Sequence, residues 1–154
     1  IGRSRTADTR PPKKKYQPGF TAPEAHILVV DDIEMNRFVL TSLLKRTKIK
    51  IDTAESGDTA IHLAMTKRYD IILLDYMMPG KDGITTLHEM MEMENNPNVN
   101  TPVICLTADA ISGARQRYMD AGFDNYLTKP ILPDKREEMI LSYLPKDKVS
   151  ILPQ

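Results

Sequence analysis

A single cysteine, Cys105, among 154 residues excludes an internal disulfide. It sits inside an apolar run and reads as a buried, inert thiol, which fits a reducing compartment. Long hydrophobic stretches are also missing. No run approaches the length of a membrane span, and the first residues lack the apolar segment of a signal peptide, so a cytoplasmic chain without membrane contact is expected, with a membrane-attached parent left open. Zinc-like spacing is absent, since His26, His62 and His88 stand apart and read as surface or packing residues. No Gly-rich phosphate loop and no internal repeat appear. Net charge is missing too, with 21 basic and 21 acidic residues.

That balance hides an asymmetry. Residues 1–24 carry six Lys or Arg against Asp8 and Glu24, leaving 15 basic and 19 acidic residues in the rest. The stretch Pro11-Pro-Lys-Lys-Lys15 reads as a solvated, flexible linker rather than a nucleic-acid or membrane patch. The chain starts Ile-Gly rather than Met, which fits a piece of a longer protein. With 41% hydrophobic residues, it has the material for one core. The expected organisation is a tail over 1–24, one domain over 25–145 and a C-terminal tail over 146–154.

From residue 26 onward, short apolar runs alternate with amphipathic segments, the pattern of repeated βα units and a parallel sheet covered on both faces. Strands are predicted at His26 to Val30, Ile49 to Ala54, Asp70 to Leu74, Pro102 to Leu106 and Asn125 to Leu127. Helical spacing recurs in Met35, Phe38, Val39 and Leu43, in Ile84, Leu87 and Met91, and in Ile111, Ala114, Tyr118 and Ala121. Two further helices are predicted over 57–67 and 133–144. The Met90, Met91 and Met93 group reads as core packing at Met91 with the others exposed. Asn95 to Asn100 reads as the loosest stretch of the core.

In an open sheet of this kind the ligand site lies beyond the carboxyl ends of the strands. Those ends are occupied by Asp31 and Asp32, by Asp75, by Thr107, and by Lys129 with Pro130. Each residue alone has a bland explanation as a cap or turn residue. Together they make a charge cluster that stability does not require. Clustered carboxylates repel one another unless a cation compensates, and an all-oxygen donor set suits Mg²⁺. Asp75 is then a candidate nucleophile for a phosphoryl group, with Lys129 and Thr107 contacting the phosphoryl oxygens.

The segments Ile27-Leu-Val-Val-Asp-Asp32, Ile72-Leu-Leu-Asp75-Tyr-Met-Met-Pro-Gly80, Leu106-Thr107-Ala and Lys129-Pro130, in that order, resemble response-regulator receiver domains over about residues 26–144. The resemblance implies a flavodoxin-like α/β fold, a doubly wound five-stranded parallel sheet in the order 2-1-3-4-5 with five helices. It implies phosphorylation of Asp75 from a phosphohistidine on a histidine kinase or histidine phosphotransfer domain. The implied Mg²⁺ ligands are Asp32, Asp75 and the Met77 backbone carbonyl, with Asp31 acting mainly through water; Mn²⁺ can substitute. Pro130 would follow a cis bond that aims Lys129, and Gly80 and Gly83 would suit the turn after the acceptor. Thr107 and Tyr126 would form the switch, and Met77 and Asp109 would tune hydrolysis of the phosphate.

The run Asp31-Asp-Ile-Glu-Met-Asn36-Arg37 and the run from Thr107 to Pro130 look most like receivers attached to hybrid sensor histidine kinases. On that reading the chain is no classical enzyme, carries no DNA-binding output domain, and is a monomer or weak dimer. Other readings are a stand-alone single-domain response regulator or a receiver kept only as a protein-binding module. A haloacid-dehalogenase-type phosphatase needs an acid two residues after its nucleophile. Met77 occupies that place.

Overall fold

A computed structural model of the chain describes residues 19–108, 113–129 and 133–151, with side chains from 136 onward in the last segment. The elements in chain order are β1 (Phe20–Thr21), β2 (His26–Val30), α1 (Glu34–Leu43), β3 (Lys50–Ala54), α2 (Gly57–Thr66), β4 (Ile71–Asp75), α3 (Gly83–Glu92), β5 (Val103–Thr107), α4 (Ala114–Ala121), β6 (Asn125–Thr128), α5 (Pro133–Tyr143) and β7 (Ser150–Ile151). Five of the strands form one parallel sheet in the order β3-β2-β4-β5-β6, which is the expected 2-1-3-4-5. The predicted strands start at most one residue early and end within one residue of those observed.

Strand side chains alternate between the two faces of the sheet, so an apolar run can feed two cores at once. Leu28, Val30, Ile72, Leu74, Val103 and Cys105 pack with residues of α2, α3 and α4 on one face. On the other face, Ile27, Val29, Ile71, Leu73, Ile104 and Leu106 pack with Leu40, Leu44, Ile140 and Leu144. All five residues of β4 and of β5 are buried. The strand that ends in Asp75 is thus, together with β5, the most enclosed part of the sheet.

Helix α1 departs from expectation. Its apolar stripe of Met35, Phe38, Val39 and Leu43 faces outward, at 64, 63, 43 and 41% exposure, while Leu40 and Leu44 do the packing. In α3 it is Met90 that is fully buried; Met91 is only partly so and Met93 is exposed. Asn98, in the stretch expected to be loosest, is also fully buried. Its amide donates to the carbonyls of Ala64 and Lys67 and its Oδ1 accepts from the Tyr69 N–H. One asparagine thereby ties the end of α2 to the entry of β4, satisfying backbone groups that burial would otherwise orphan.

The folded body reaches past both expected domain boundaries. β1 pairs antiparallel with β7, Phe20 opposite Ile151 and Thr21 opposite Ser150. Phe20, Ala22 and Ala25 are buried in the core beneath α1 and α5. Asp70 fastens the same end: its carboxylate accepts from the Lys148 ammonium at 2.9 Å and from the His26 N–H at 2.9 Å. This clasp lies at the amino ends of β2 and β4, away from the carboxyl ends where the functional residues gather. Burial of a phenylalanine side chain is worth about 3 kcal/mol or more when truncated to alanine. Phe20→Ala is expected to lower unfolding stability by about that amount, read from a lower urea midpoint at unchanged m-value; an unshifted midpoint would show the clasp to be incidental.

Candidate functional site

Three strand ends and one loop deliver the predicted residues to a common point. Asp75 is the last residue of β4, fixed in register opposite Leu106 and followed by a Tyr76 N–H that donates to the Leu106 carbonyl at 2.8 Å. Asp31 and Asp32 follow β2 directly. Thr107 ends β5, and its carbonyl accepts from the Lys129 N–H at 2.7 Å just past β6. Because the strands are parallel and in register, all these groups emerge at one edge.

The side chains converge. Carboxylate oxygens of Asp31, Asp32 and Asp75 lie within 4.8 Å of one another. The Lys129 ammonium donates to Asp75 Oδ1 at 2.9 Å and to Asp31 Oδ2 at 3.2 Å. Asp31 is fully buried and Asp75 is 3% exposed, whereas Asp32 is half-buried. Burial is the main reason that the Asp75 carboxyl is pushed up to about 6; the Lys129 hydrogen bond pulls it down, and the charges of Asp31 and Asp32 push it up again. For Lys129 burial acts to lower the ammonium, and its bonds to Asp75 and Asp31 outweigh that and hold it above its ordinary value. One lysine therefore does not neutralise three acids.

Asp31 is held on several sides. Its carboxylate accepts from the Asn36 amide and from the Ile33 N–H, and its carbonyl accepts from Arg37 Nη1 at 2.8 Å. Asn36 and Arg37 stood in a recognisable run of sequence, but nothing in their spacing disclosed that they brace an acid. The turn after Asp75 depends on Gly83, where an added Cβ would lie 2.5 Å from the Asp75 carbonyl oxygen. Gly80 in the same turn has φ +82, a left-handed conformation suited to glycine.

Thr107 is buried, and its hydroxyl is 2.7 Å from the Tyr118 hydroxyl on α4. Sequence reasoning placed Tyr118 in a helical stripe and missed this partner. Tyr118 lies edge-on to Tyr76 at 5.2 Å and tilted against Tyr126 at 5.6 Å. Tyr126 is half-buried and packs on the core. Met77 has 71% of its surface exposed. Asp109 and Pro130 lie outside the described residues. Cys105 is buried as expected, and burial pushes its thiol up to about 12, keeping it protonated. Of the histidines, His26 meets Asp52 at 3.3 Å, and His62 and His88 are exposed.

The arrangement offers a hard, all-oxygen donor set short of positive charge, beside a carboxylate able to act as a nucleophile. These residues fit a divalent cation such as Mg²⁺.

Comparison with known proteins follows the same residues. The model of the response regulator receiver domain matches residues 27–141. The transcriptional regulatory protein ResD of Bacillus subtilis (strain 168) is 43% identical over 110 residues, covering 71% of this chain and 44% of ResD. The signal transduction histidine-protein kinase BarA of Escherichia coli (strain K12) is 31% identical, covering 80% of this chain and 13% of BarA. The chain thus spans less than half the length of either relative. A solved receiver domain of a sensor histidine kinase from Pseudomonas aeruginosa PAO1, with a magnesium ion coordinated in its active site cleft, superposes with a TM-score of 0.69 at 30% identity, covering 77% of this chain and 96% of that one.

The raised Asp75 pKa makes a stability prediction for the metal-free protein. A carboxyl whose folded pKa exceeds its unfolded value stabilises fully below about pH 4, and that contribution is lost as pH rises through about 6. Asp75→Asn removes the ionisation. It is expected to raise stability above about pH 6 by on the order of 2 kcal/mol and by much less near pH 4, as urea unfolding in the presence of a chelator would measure.

Proposed function

The chain belongs to the response regulator receiver domain family, and from that premise we propose that Asp75 takes a phosphoryl group from a phosphohistidine on a histidine kinase or phosphotransfer partner. Receiver domains bind Mg²⁺ at an acidic cluster, and the observation that carries the assignment here is the Lys129 ammonium bridging Asp75 and Asp31, with Asp32 alongside. Asp31, Asp32, Asp75 and the Met77 carbonyl would hold the ion. When bound, Mg²⁺ supplies the positive charge that lets acidic and phosphoryl oxygens share one small space.

In the transfer, an Asp75 carboxylate oxygen attacks phosphorus while the phosphorus–nitrogen bond breaks, and the imidazole nitrogen keeps the electron pair. The product is an acyl phosphate on Asp75. Lys129, already within hydrogen-bond reach of Asp75, holds the carboxylate oriented and offsets charge on the phosphoryl oxygens. Ile33, Met35 and Phe38 follow Asp32 closely in the chain with exposed side chains, and would give the incoming donor domain an apolar surface to meet.

Thr107 and Tyr126 are the switch in this reading, and Tyr118 joins them. As the Thr107 hydroxyl moves to donate to a phosphoryl oxygen it would be drawn away from the Tyr118 hydroxyl, and because the Tyr118 ring packs against that of Tyr126 a shift of the first would be felt by the second. A parent of the hybrid-kinase type is supported by the reach of the matches, which cover 80% of this chain in BarA and 89% in the sensor protein GacS of Pseudomonas syringae pv. syringae, against 71% in ResD.

The direct test is intact-mass measurement after incubation with Mg²⁺ and acetyl phosphate. One base-labile phosphoryl adduct is expected in the wild-type chain and none in Asp75→Asn; an unmodified wild type under all donors would favour the binding-module reading. Tyr118→Phe keeps the ring packing and deletes the hydroxyl held by Thr107. A neutral hydrogen bond is worth about 1 kcal/mol net, so adduct formation is expected to quicken about fivefold, and an unchanged rate would uncouple Tyr118 from the switch.

A further inference from the structure

Between α1 and α5, on the sheet face away from Tyr118, the fold leaves a cavity of about 190 Å³. Val39, Leu40, Leu43 and Leu106 form its apolar wall, and Lys129 and Arg136 line it with cations. Lys129 is committed to Asp75 and Asp31. Arg136 is not so committed. It is fully buried, and its Nε, Nη1 and Nη2 lack a hydrogen-bond partner among the described residues. Its ionic neighbour is Glu137, with Oε2 3.5 Å from Nη2, and both Glu137 carboxylate oxygens are likewise buried without hydrogen bonds among the described residues.

A guanidinium carries five donors in a planar fork, and burying it unbonded is among the costlier arrangements a core can hold. Such a group persists where something that accepts hydrogen bonds completes it. Glu137 supplies charge at the edge of reach without supplying those bonds. The remaining acid at the cavity, Asp31, is already met by Lys129, Asn36 and the Ile33 N–H, which reduces its repulsion of an incoming anion.

From these features we infer that the cavity is a binding site for a small aliphatic monocarboxylate, its carboxylate on Arg136 and its hydrocarbon against Val39, Leu40, Leu43 and Leu106. A planar carboxylate matches the guanidinium fork with two parallel hydrogen bonds. The volume corresponds to roughly six waters at about 30 Å³ each, room for a branched acid of about five carbons. The half-exposed Val39 and Leu43 lie at the side where the cavity meets solvent. Because Lys129 and Asp31 belong to both places, occupancy would alter how readily Asp75 is phosphorylated, a consequence that rests on the receiver reading while the binding itself does not.

The test titrates isovalerate into the full chain, following backbone amide shifts by NMR, with neutral isovaleramide as the isostere. Saturable shifts are expected at Leu43 and Leu106, with isovaleramide binding weaker by about tenfold or more, the loss of a charged hydrogen-bonded pair. Arg136→Met and the mouth-filling Val39→Trp are each expected to weaken isovalerate by a similar factor. Failure of isovalerate to saturate, equal binding of the amide, or wild-type affinity in Arg136→Met overturns the site. If Arg136→Met does not fold, the amide comparison and Val39→Trp decide it, equal binding of the amide or wild-type isovalerate affinity in Val39→Trp being fatal. Asp75 modification by phosphoramidate, weighed in the same samples, separates the two readings: modification without isovalerate binding sinks the cavity alone, and binding without modification sinks the phosphoacceptor role alone.

Discussion

The bond from Lys129 to Asp75 and Asp31 is the interaction on which the rest of the molecule depends. A parallel sheet brings the ends of β2, β4 and β5 to one edge, and the sequence places acids at two of them. In a half-dry environment, mutual repulsion would drive such acids apart or protonate them. Lys129 prevents this only in part. The upward-shifted Asp75 carboxyl records the deficit, because burial and the neighbouring acids still outweigh the single ammonium. A site left short of one positive charge is suited to a divalent cation and, with it, to phosphoryl oxygens.

Several less conspicuous contacts hold that unfavourable arrangement in place. Asn36, Arg37 and the Ile33 N–H brace Asp31, and Gly83 lets α3 start against the Asp75 carbonyl without a clash. At the far end of the sheet, the β1–β7 pairing, Asp70 and Asn98 fasten the strand starts. Tension at the carboxyl edge is thus anchored by a well-satisfied amino edge. Stability and function occupy opposite ends of the same strands, as open α/β sheets generally arrange them.

β2, β4 and β5 were legible because doubly buried strands read as continuous apolar runs, the edge strands β3 and β6 were placed by shorter and more mixed runs, and the strand-end acids followed from topology. Other features left weaker signals. The period of α1 was read correctly but its face was not: in the outward stripe of Met35, Phe38, Val39 and Leu43, the last two lie one position before the buried pair Leu40 and Leu44, and spacing alone does not say which stripe meets the sheet. β1 and β7 are two residues long, too short for periodicity, and Phe20 follows a basic stretch that resembled a tail. Asn98 looked like a loop breaker because its composition is that of a loop; its value lies in contacts to residues about thirty positions away. Tyr118 was placed on its helix by pattern, yet its bond to Thr107 is a tertiary fact that no local pattern encodes.

The two faces of the sheet divide the labour of a signalling domain. On one, Thr107 touches Tyr118, and Tyr118 touches both Tyr76, next to Asp75, and Tyr126 on the edge strand. Rings in edge contact have few alternative packings, so a small turn of Thr107 would produce a discrete repacking rather than a gradual one. On the other face, α1 turns its apolar stripe outward, and Arg136 stays buried without hydrogen bonds among the described residues, beside a cavity that shares Lys129 with the Asp75 site. Lys129 stands where the two meet. A change in what that ammonium neutralises is felt by the acid it holds, by the cavity it lines and, through the Thr107 carbonyl that binds its own N–H, by the aromatic side as well.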